Sequence, residues 1–420
     1  MMIVNKITKQ SRVSAKVNWI ADEAKRCLSC FEPPCQSSCP AGIPIPDFIR
    51  SLNSGNIISS ARLIRNANPL ASICGVVCPE EVFCQSNCTR SKIDASIKIR
   101  ELHSYVTGYE AENESVSTSS KNKVAIIGSG PAGLSCAITL ALHSVQAIIY
   151  EKSDHIGGVP SSSIPDFRLS DETITTDIEY ARKLGVEFKL NIDIDDPKVL
   201  LKNHQSVLIA AGLAKGITAK IPGSDSNGVL SALSFLERAR SGNHYDIKNK
   251  RVIIIGGGNV SLDVAAVAME TGAAEVHLLY RRGPAEMKVW QTELDEAQRR
   301  GVVIDYLTTP VEYVAKANKL HAVRCIRTRL IEKRDSSGRR MVEQVPGSEF
   351  SIPVDFVIEA IGLTSDYSRD IKINADLSTP VDGIFAGGDW ARGEGTIVEA
   401  VRDGKNAAHR IISYMKDKRP

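Results

Sequence analysis

The chain has 420 residues, enough for two or three domains that each bury a core. Apolar residues make up 43% and charged residues 24%, an ordinary globular composition, and the formal net charge is only +3. No long basic block or aromatic–basic interleaving appears, so a nucleic-acid partner is not expected. The N-terminal stretch, with Lys6, Lys9, Arg12 and Lys16, lacks the apolar core and small-residue cleavage site of a secretory signal. The chain therefore reads as soluble and cytoplasmic.

In chain order, residues 1–108 show helical patterning, as at 45–49 and 57–64, together with most of the cysteines. Eight of the ten cysteines fall between Cys27 and Cys88, while Cys136 and Cys325 stand alone. The spacing is Cys27-x2-Cys30-x4-Cys35-x3-Cys39-Pro40, then Cys74-x3-Cys78-x5-Cys84-x3-Cys88. Without a signal peptide, such clustering points to metal rather than to disulfides. The first half is like the ferredoxin run that closes on Cys-Pro, in which the fourth cysteine serves the other cluster. Eight thiolates suit up to two [4Fe–4S] centres. Zinc would call for paired CxxC units, and only Cys27/Cys30 has that spacing. Residues 109–122, rich in Ser and Glu, read as a linker.

From Val124 onward, strand-like runs alternate with helical segments, the mark of a parallel α/β architecture. The apolar stretch 124–142 is broken by Gly128, Gly130, Pro131 and Gly133, a strand–turn–helix and not a membrane span. Two similar starts, KVAIIGSGPAGLSCA at Lys123 and RVIIIGGGNVSLDVA at Arg251, mark two nucleotide-binding domains.

In the first turn, Gly128-Ser129-Gly130-Pro131-Ala132-Gly133, the first Gly allows a tight bend. The second lets backbone approach a pyrophosphate, and the third lets the helix pack on its strand. The next strand, over 147–150, ends at Glu151, where a carboxylate can accept from an adenosine ribose. FAD and NAD both fit this pattern. The later segment 383–389, GIFAGGD with Gly388 and Asp389, resembles that of flavoproteins with a disulfide-reductase-like fold, whose Asp contacts the FAD ribitol. Segments 207–212 (VLIAAG) and 356–362 (FVIEAIG) resemble the two crossings between FAD and NAD(P)H domains in such chains. The FAD domain is then split into 123–225 and 361–420, with an NAD(P)H domain over 226–360 inserted.

The second turn is Gly256-Gly257-Gly258-Asn259-Val260-Ser261, with Ser where the third Gly normally stands. Its following strand, 275–280, ends in Arg281-Arg282 instead of a carboxylate. Cations there suit a 2′-phosphate and favour NADPH over NADH, a solvated basic strand end being the alternative.

The cysteine array, the GSGPAG and GGGN turns, IPDFRL (164–169) and AGGD resemble, in this order, one family. It comprises the glutamate synthase small subunit and the N-terminal half of dihydropyrimidine dehydrogenase, including the bacterial electron-input subunit of the latter. PPCQSSCP (33–40), NPLASICGVVCP (68–79), CTRSKIDASIKI (88–99) and TIVEAVRDGK (396–405) are most similar to the dihydropyrimidine dehydrogenase branch. The resemblance runs from about residue 21 to 412. It implies an α/β fold of two Rossmann-like domains, the FAD domain split by the NAD(P)H domain, preceded by an all-α iron–sulfur domain.

The resemblance also assigns residues. One [4Fe–4S] cluster would take Cys27, Cys30, Cys35 and Cys88, and the other Cys39, Cys78 and Cys84, leaving Cys74 unligated. The family's fourth ligand to the second cluster is a Gln or Glu, where this chain has His103. Imidazole can ligate iron, as in Rieske centres; the alternative is a helix-surface histidine. FAD contacts map onto Gly130, Glu151, Gly158, Val159, Arg168 and Asp389. NADPH contacts map onto Gly258, Asn259, Arg281, Arg282 and Lys288. No catalytic side chain is expected, because hydride passes to the flavin and single electrons then leave through the clusters. No FMN barrel or amidotransferase segment is present, so a second catalytic redox subunit is expected as partner, most simply of dihydropyrimidine dehydrogenase type. A glutamate synthase small subunit, an input subunit of another reductase or bifurcating complex, a stand-alone diaphorase and a non-catalytic redox scaffold are the alternatives.

Overall fold

The structure is a computed structural model that describes residues 18–109, 122–367 and 371–418. Residues 110–121 of the expected linker lie outside them. The chain divides into two compact units. One comprises Met1–Ser161, Arg168–Gly212 and Tyr367–Pro420, and the other Ser162–Phe167 and Leu213–Asp366.

The first unit opens with short helices. In α1 (Ile45–Asn53) the residues Ile45, Phe48, Ile49 and Leu52 recur at helical spacing and are buried. In α2 (Ile57–Ala67) the Asn56 side chain caps the start by accepting from Ser59 N at 3.0 Å. Then α3 (Ala71–Val77) runs into Cys78, and α4 (Ile99–Thr107) packs on it. Gly75 permits that approach: a Cβ there would lie 3.2 Å from Ser104 Cα.

The rest of this unit is a five-stranded parallel sheet built from β1 (Lys123–Ile127), β2 (Gln146–Tyr150), β3 (Glu187–Lys189), β4 (Ser206–Ile209) and a later strand, Ile384–Ala386. The order is Ile384–Ala386, β4, β1, β2, β3. Central strands buried on both faces explain the unbroken β-branched runs. Helix α5 (Pro131–Leu142) follows β1 and is buried along nearly its whole length, while α6 (Asp171–Lys183) follows β2.

The second unit repeats this plan. Its parallel strands are β5 (Val229–Ser231), β6 (Arg251–Ile255), β7 (Glu275–Tyr280), β8 (Val303–Tyr306) and a later strand, Phe356–Glu359. The order is β5, Phe356–Glu359, β6, β7, β8. Helices α7 (Ala232–Arg240), α8 (Asn259–Glu270) and α9 (Gln291–Arg299) accompany them. The strand–helix alternation expected from Val124 onward breaks between 308 and 353. There β9 (Thr308–Lys316), β10 (Lys319–Arg334), β11 (Arg340–Gln344) and β12 (Phe350–Pro353) pair antiparallel: short turns link β9 to β10 and β10 to β11, where a parallel pair needs a crossover, and β12 pairs back on β10. The strands β13 (Phe356–Glu359) and β14 (Ile384–Ala386) are the later members of the two parallel sheets, a short antiparallel pair joins Lys215–Gly216 to Leu363–Thr364, and α10 (Ile397–Asp417) returns to α5. A capping box between Thr396 and Glu399 starts α10. Among the described residues no helix is long and apolar enough to cross a membrane.

Candidate functional site

The first glycine turn leaves β1 with Gly128 N donating to Tyr150 O at 2.8 Å. Gly128 has φ +100°, and a Cβ there would sit 2.4 Å from Ala210 O. A Cβ on Gly133 would lie 2.0 Å from Gly128 O, so no side chain fits between helix and turn. At Gly130, by contrast, an added Cβ meets nothing within 4 Å: this is the open face a pyrophosphate could occupy, at the start of α5.

Glu151 is buried and accepts from Ser129 N (2.8 Å), Ser129 Oγ (2.7 Å), Ser153 N (2.9 Å) and Ser153 Oγ (2.8 Å). Burial pushes its carboxyl up, but these bonds outweigh it and hold the group below the ordinary range. A ribose hydroxyl would share this carboxylate with two serines. Gly158, with φ +61°, backs onto Gly130, and Gly157 N donates to Ser129 Oγ at 3.1 Å. Val159 is exposed beside them and Arg168 is half-buried.

The segment after β14 closes over the same turn. A Cβ on Gly388 would lie 2.8 Å from Ala132 Cβ, and one on Gly404 of α10 would lie 2.2 Å from Ala132 O. Asp389 then starts a short helical turn, Asp389–Arg392, and pairs with Arg392 at 3.0 Å. Burial pushes its carboxyl up to about 6, against the pull of Arg392 and with the help of Asp403 and Glu399. Next to it, Trp390 Nε1 and Arg392 Nε are buried donors without a partner among the described residues. An open glycine face, a ribose acceptor and unspent buried donors fit a bound dinucleotide.

The second turn follows the same geometry. Gly256 (φ +146°) packs under Ala360, whose O would be 2.2 Å from an added Cβ, and Gly256 N donates to Leu279 O at 3.1 Å. Gly257 is closed by the Tyr280 ring, 2.3 Å from where a Cβ would stand, whereas Gly258 is open. Ser261, in the third position, is fully buried and folds its Oγ onto Gly258 O at 2.5 Å, which accommodates the departure from Gly. Asn259 Oδ1 accepts from Trp290 N at 3.0 Å, and a parallel bridge sets Lys288 beside Gly258. Val260 is exposed on the first turn of α8. Arg281 is exposed at the end of β7; Arg282 is buried.

The cysteines fall into two neighbourhoods. Arg26 next to Cys27 reaches Asp94 (3.0 Å) and Ala95 O (2.5 Å), and Arg90 near Cys88 reaches Arg26 O (3.4 Å), so the two distant ends of the array meet. Burial pushes the Cys35 thiol up to about 12, with Cys88, Cys27 and Cys30 adding to it. Elsewhere, Ser38 Oγ beside Cys39 donates to Phe83 O beside Cys84 at 2.9 Å. Arg100 Nη1 donates to Cys78 O at 3.1 Å. Burial raises Cys78 and Cys84 strongly, and Cys39 adds to both. Cys74 is fully buried and raised to about 12 by burial, with Cys39 nearby. Among the described residues no group of three His, Cys, Asp or Glu side chains is gathered tightly enough for a single ion.

His103, on α4, packs against Gly75 of α3 and is 5% exposed. Burial pushes it down to about 4, against a hydrogen bond with the Ala71 backbone, so the ring is neutral at pH 7. Its Nε2 is buried without a partner among the described residues.

Residues 5–115 match the family described as dihydropyrimidine dehydrogenase domain II, 4Fe-4S cluster, and residues 122–404 match pyridine nucleotide-disulphide oxidoreductase. The chain is 33% identical to the NAD-dependent dihydropyrimidine dehydrogenase subunit PreT of Escherichia coli, over 94% of both chains. It is 31% identical to the glutamate synthase [NADPH] small chain of Escherichia coli, over 94% of this chain and 91% of that one. The chain belongs to the glutamate synthase small-chain and dihydropyrimidine dehydrogenase family. As a member it is an FAD-dependent NAD(P)H oxidoreductase with [4Fe–4S] chemistry, the electron-input part of such an enzyme. It is also 34% identical to the NADP(+)-dependent formate dehydrogenase subunit beta of Moorella thermoacetica, over 91% of this chain but only 60% of that longer protein. FprA of Mycobacterium tuberculosis in complex with NADPH has the same fold over 70% of the chain, with a TM-score of 0.62 and 18% identity, covering 85% of that structure.

Several residues that contact these candidate positions carry no motif. Ser153 donates to Glu151, and Arg392 pairs with both Asp389 and Asp403, contacts that depend on the fold. Lys405 of α10 donates to Ala41 O (2.9 Å) and to Ala67 O, which joins α10 to the loop after Cys39 and to the end of α2.

Proposed function

We propose that this chain is the electron-input subunit of a dihydropyrimidine dehydrogenase-type complex, oxidising NADPH and passing single electrons to a partner catalytic subunit. The observation that carries it is that the cysteine helices and the flavin-side glycine turn form one compact unit, joined by a buried ion pair at Asp177 and a half-buried polar contact at Lys405. When bound, the nicotinamide supplies a hydride that the flavin accepts as a pair and can release one electron at a time. This chain's own residues bind and position. Gly128–Gly133, Glu151, Gly158, Val159, Arg168, Gly388 and Asp389 would hold FAD. Gly256–Val260, Arg281 and Lys288 would hold the nicotinamide dinucleotide. Cys27, Cys30, Cys35 and Cys88 would hold one [4Fe–4S] cluster, and Cys39, Cys78, Cys84 and His103 the other. His103 fits because it is neutral, buried and has an unspent Nε2.

The choice of a dihydropyrimidine dehydrogenase type is supported by the domain II match over 5–115 and by the similarity to PreT across 94% of both chains. The small chain of glutamate synthase is the second reading, supported by a similarity of almost the same extent. Anaerobic pull-down of the holoprotein separates them. Co-purification of a pyrimidine-reducing barrel subunit is the expected result, and co-purification of a glutamate synthase large subunit would overturn it. Bleaching of the flavin by NADPH, followed by cluster signals in EPR, tests the electron-input role itself.

A further inference from the structure

Arg281 and Arg282 leave β7 as neighbours and take different roles. Arg282 is 4% exposed, and its Nη2 donates to Asp335 Oδ2 at 2.7 Å. Its Nε is buried with no partner among the described residues. Arg281 stays exposed, with its carbonyl accepting from Thr328 Oγ1 of β10 at 2.7 Å.

Asp335 opens the turn between β10 and β11, a segment with no nucleotide motif. Its Oδ1 accepts from Ser337 N (2.9 Å), Ser337 Oγ (2.6 Å) and Arg339 N (3.1 Å), and its Oδ2 accepts from Arg282. The turn closes with Asp335 N donating to Arg339 O at 2.8 Å. Arg339 is half-buried, its Nε donates to Ser337 Oγ at 2.8 Å, and its guanidinium is 3.6 Å from Asp335. Arg340 is directed elsewhere, to Glu286 at 2.6 Å. Arg281 senses both neighbours: burial, then Arg282, then Arg339 lower its hold on a proton. Three guanidiniums therefore share one field with a single carboxylate that is already saturated by donors. The remaining excess of positive charge matches a phosphate monoester, which carries about −1.5 to −2 at neutral pH.

We propose that the 335–340 turn is part of the dinucleotide site, with Arg339 joining Arg281 on the adenosine 2′-phosphate. Arg282 is a positioning residue that holds the turn in place through Asp335. The proposal rests on the NADPH reading of the second glycine turn. Arginine suits the task because its planar fork can bind two phosphate oxygens at once.

The test uses the flavin- and cluster-loaded full chain, with 2′,5′-ADP and 5′-AMP as probes in calorimetry and NADPH and NADH as dye-reduction substrates. Wild type should bind 2′,5′-ADP well above 5′-AMP. Arg339→Ala should weaken 2′,5′-ADP and raise the NADPH KM about tenfold, the size of one charge-assisted hydrogen bond, while moving the NADH KM far less. Asp335→Asn, which loosens the turn, should shift both in the same direction, and Arg339→Lys should recover part of the loss. If Arg339→Ala leaves 2′,5′-ADP binding intact while Arg281→Ala weakens it, the turn is not in the site and the NADPH reading stands. If wild type binds both probes equally, the NADPH reading fails and the proposal with it. An unchanged circular dichroism spectrum and urea midpoint of each variant report that the fold of the second unit is intact.

Discussion

Asp177 of α6 and Arg65 of α2, 112 positions apart, form an ion pair of 2.5 Å with side chains 0% and 3% exposed. The carboxylate also accepts from Ser72 N (3.2 Å) and Ile73 N (2.9 Å), the first turn of α3, so a residue beyond the first glycine turn caps the helix that leads to Cys78. Arg65 further donates to Pro69 O (2.7 Å) and Ser72 Oγ (3.1 Å), and lies 4.7 Å over the Tyr180 ring. Because both charges are desolvated and every oxygen is used, removing one partner leaves the other stranded. Asp177→Ala should cost about 3–5 kcal/mol. Urea denaturation of the holoprotein and its iron content measure this; an unchanged midpoint and full iron would refute the role.

The third glycine of the first turn should be intolerant and its counterpart in the second turn tolerant. Gly133→Ala drives a methyl to 2.0 Å from Gly128 O, which forces the helix off the turn. Overpacking of this kind costs about 1–3 kcal/mol, enough to weaken flavin binding about tenfold or more. Ser261→Gly removes only the bond to Gly258 O and should change the NADPH KM by less than about tenfold, given a net value of about 1 kcal/mol for one neutral hydrogen bond. The flavin-to-protein absorbance ratio and steady-state kinetics read the two outcomes.

His103 makes a spectroscopic prediction. His103→Ala should alter or abolish the EPR signal of the cluster assigned to Cys39, Cys78 and Cys84, and leave the signal of the cluster assigned to Cys27, Cys30, Cys35 and Cys88. Iron content should drop by no more than half in a protein that keeps its flavin. Two unaltered signals would make His103 a packing residue between α3 and α4.

Asp389 gives a pH dependence in the flavin-free protein. Its carboxyl is pushed up to about 6, above an ordinary value of 3.8, so the fold favours the protonated form. That contribution is complete below pH 3.8 and is lost as pH rises through about 6. Asp389→Asn should flatten the stability change across this window, measured as the urea midpoint against pH. A parallel curve for both proteins would refute the assignment.

Much of the fold was legible because it is encoded at short range. A β-branched run, a glycine turn and a small-residue helix lie within one stretch of chain at 123–142 and again at 251–270, and β1 and β2 pair across it in register with Lys123 opposite Gln146. Glu151 follows from the same local unit. Cysteine count and spacing specify thiolate chemistry without any fold, since the ligands are named by their own atoms. The antiparallel sheet over 308–353 was not legible, because its pairing depends on turns such as Asp335–Arg339 and not on the period of the strands.

Tertiary structure alone decided which distant groups meet. Arg281 and Arg282 are equivalent as letters, yet an ion pair with a residue 53 positions away buries one and leaves the other exposed. Cys27 and Cys88 are brought together by Arg26, Arg90 and Asp94, and Arg65 finds Asp177 only once α2, α3 and α6 have packed. Glycine turns, strand periods and cysteine spacings are local, so the sequence by itself determined the two nucleotide folds and the cluster chemistry. The partner of a buried charge is set by desolvation, which exists only after the chain has folded.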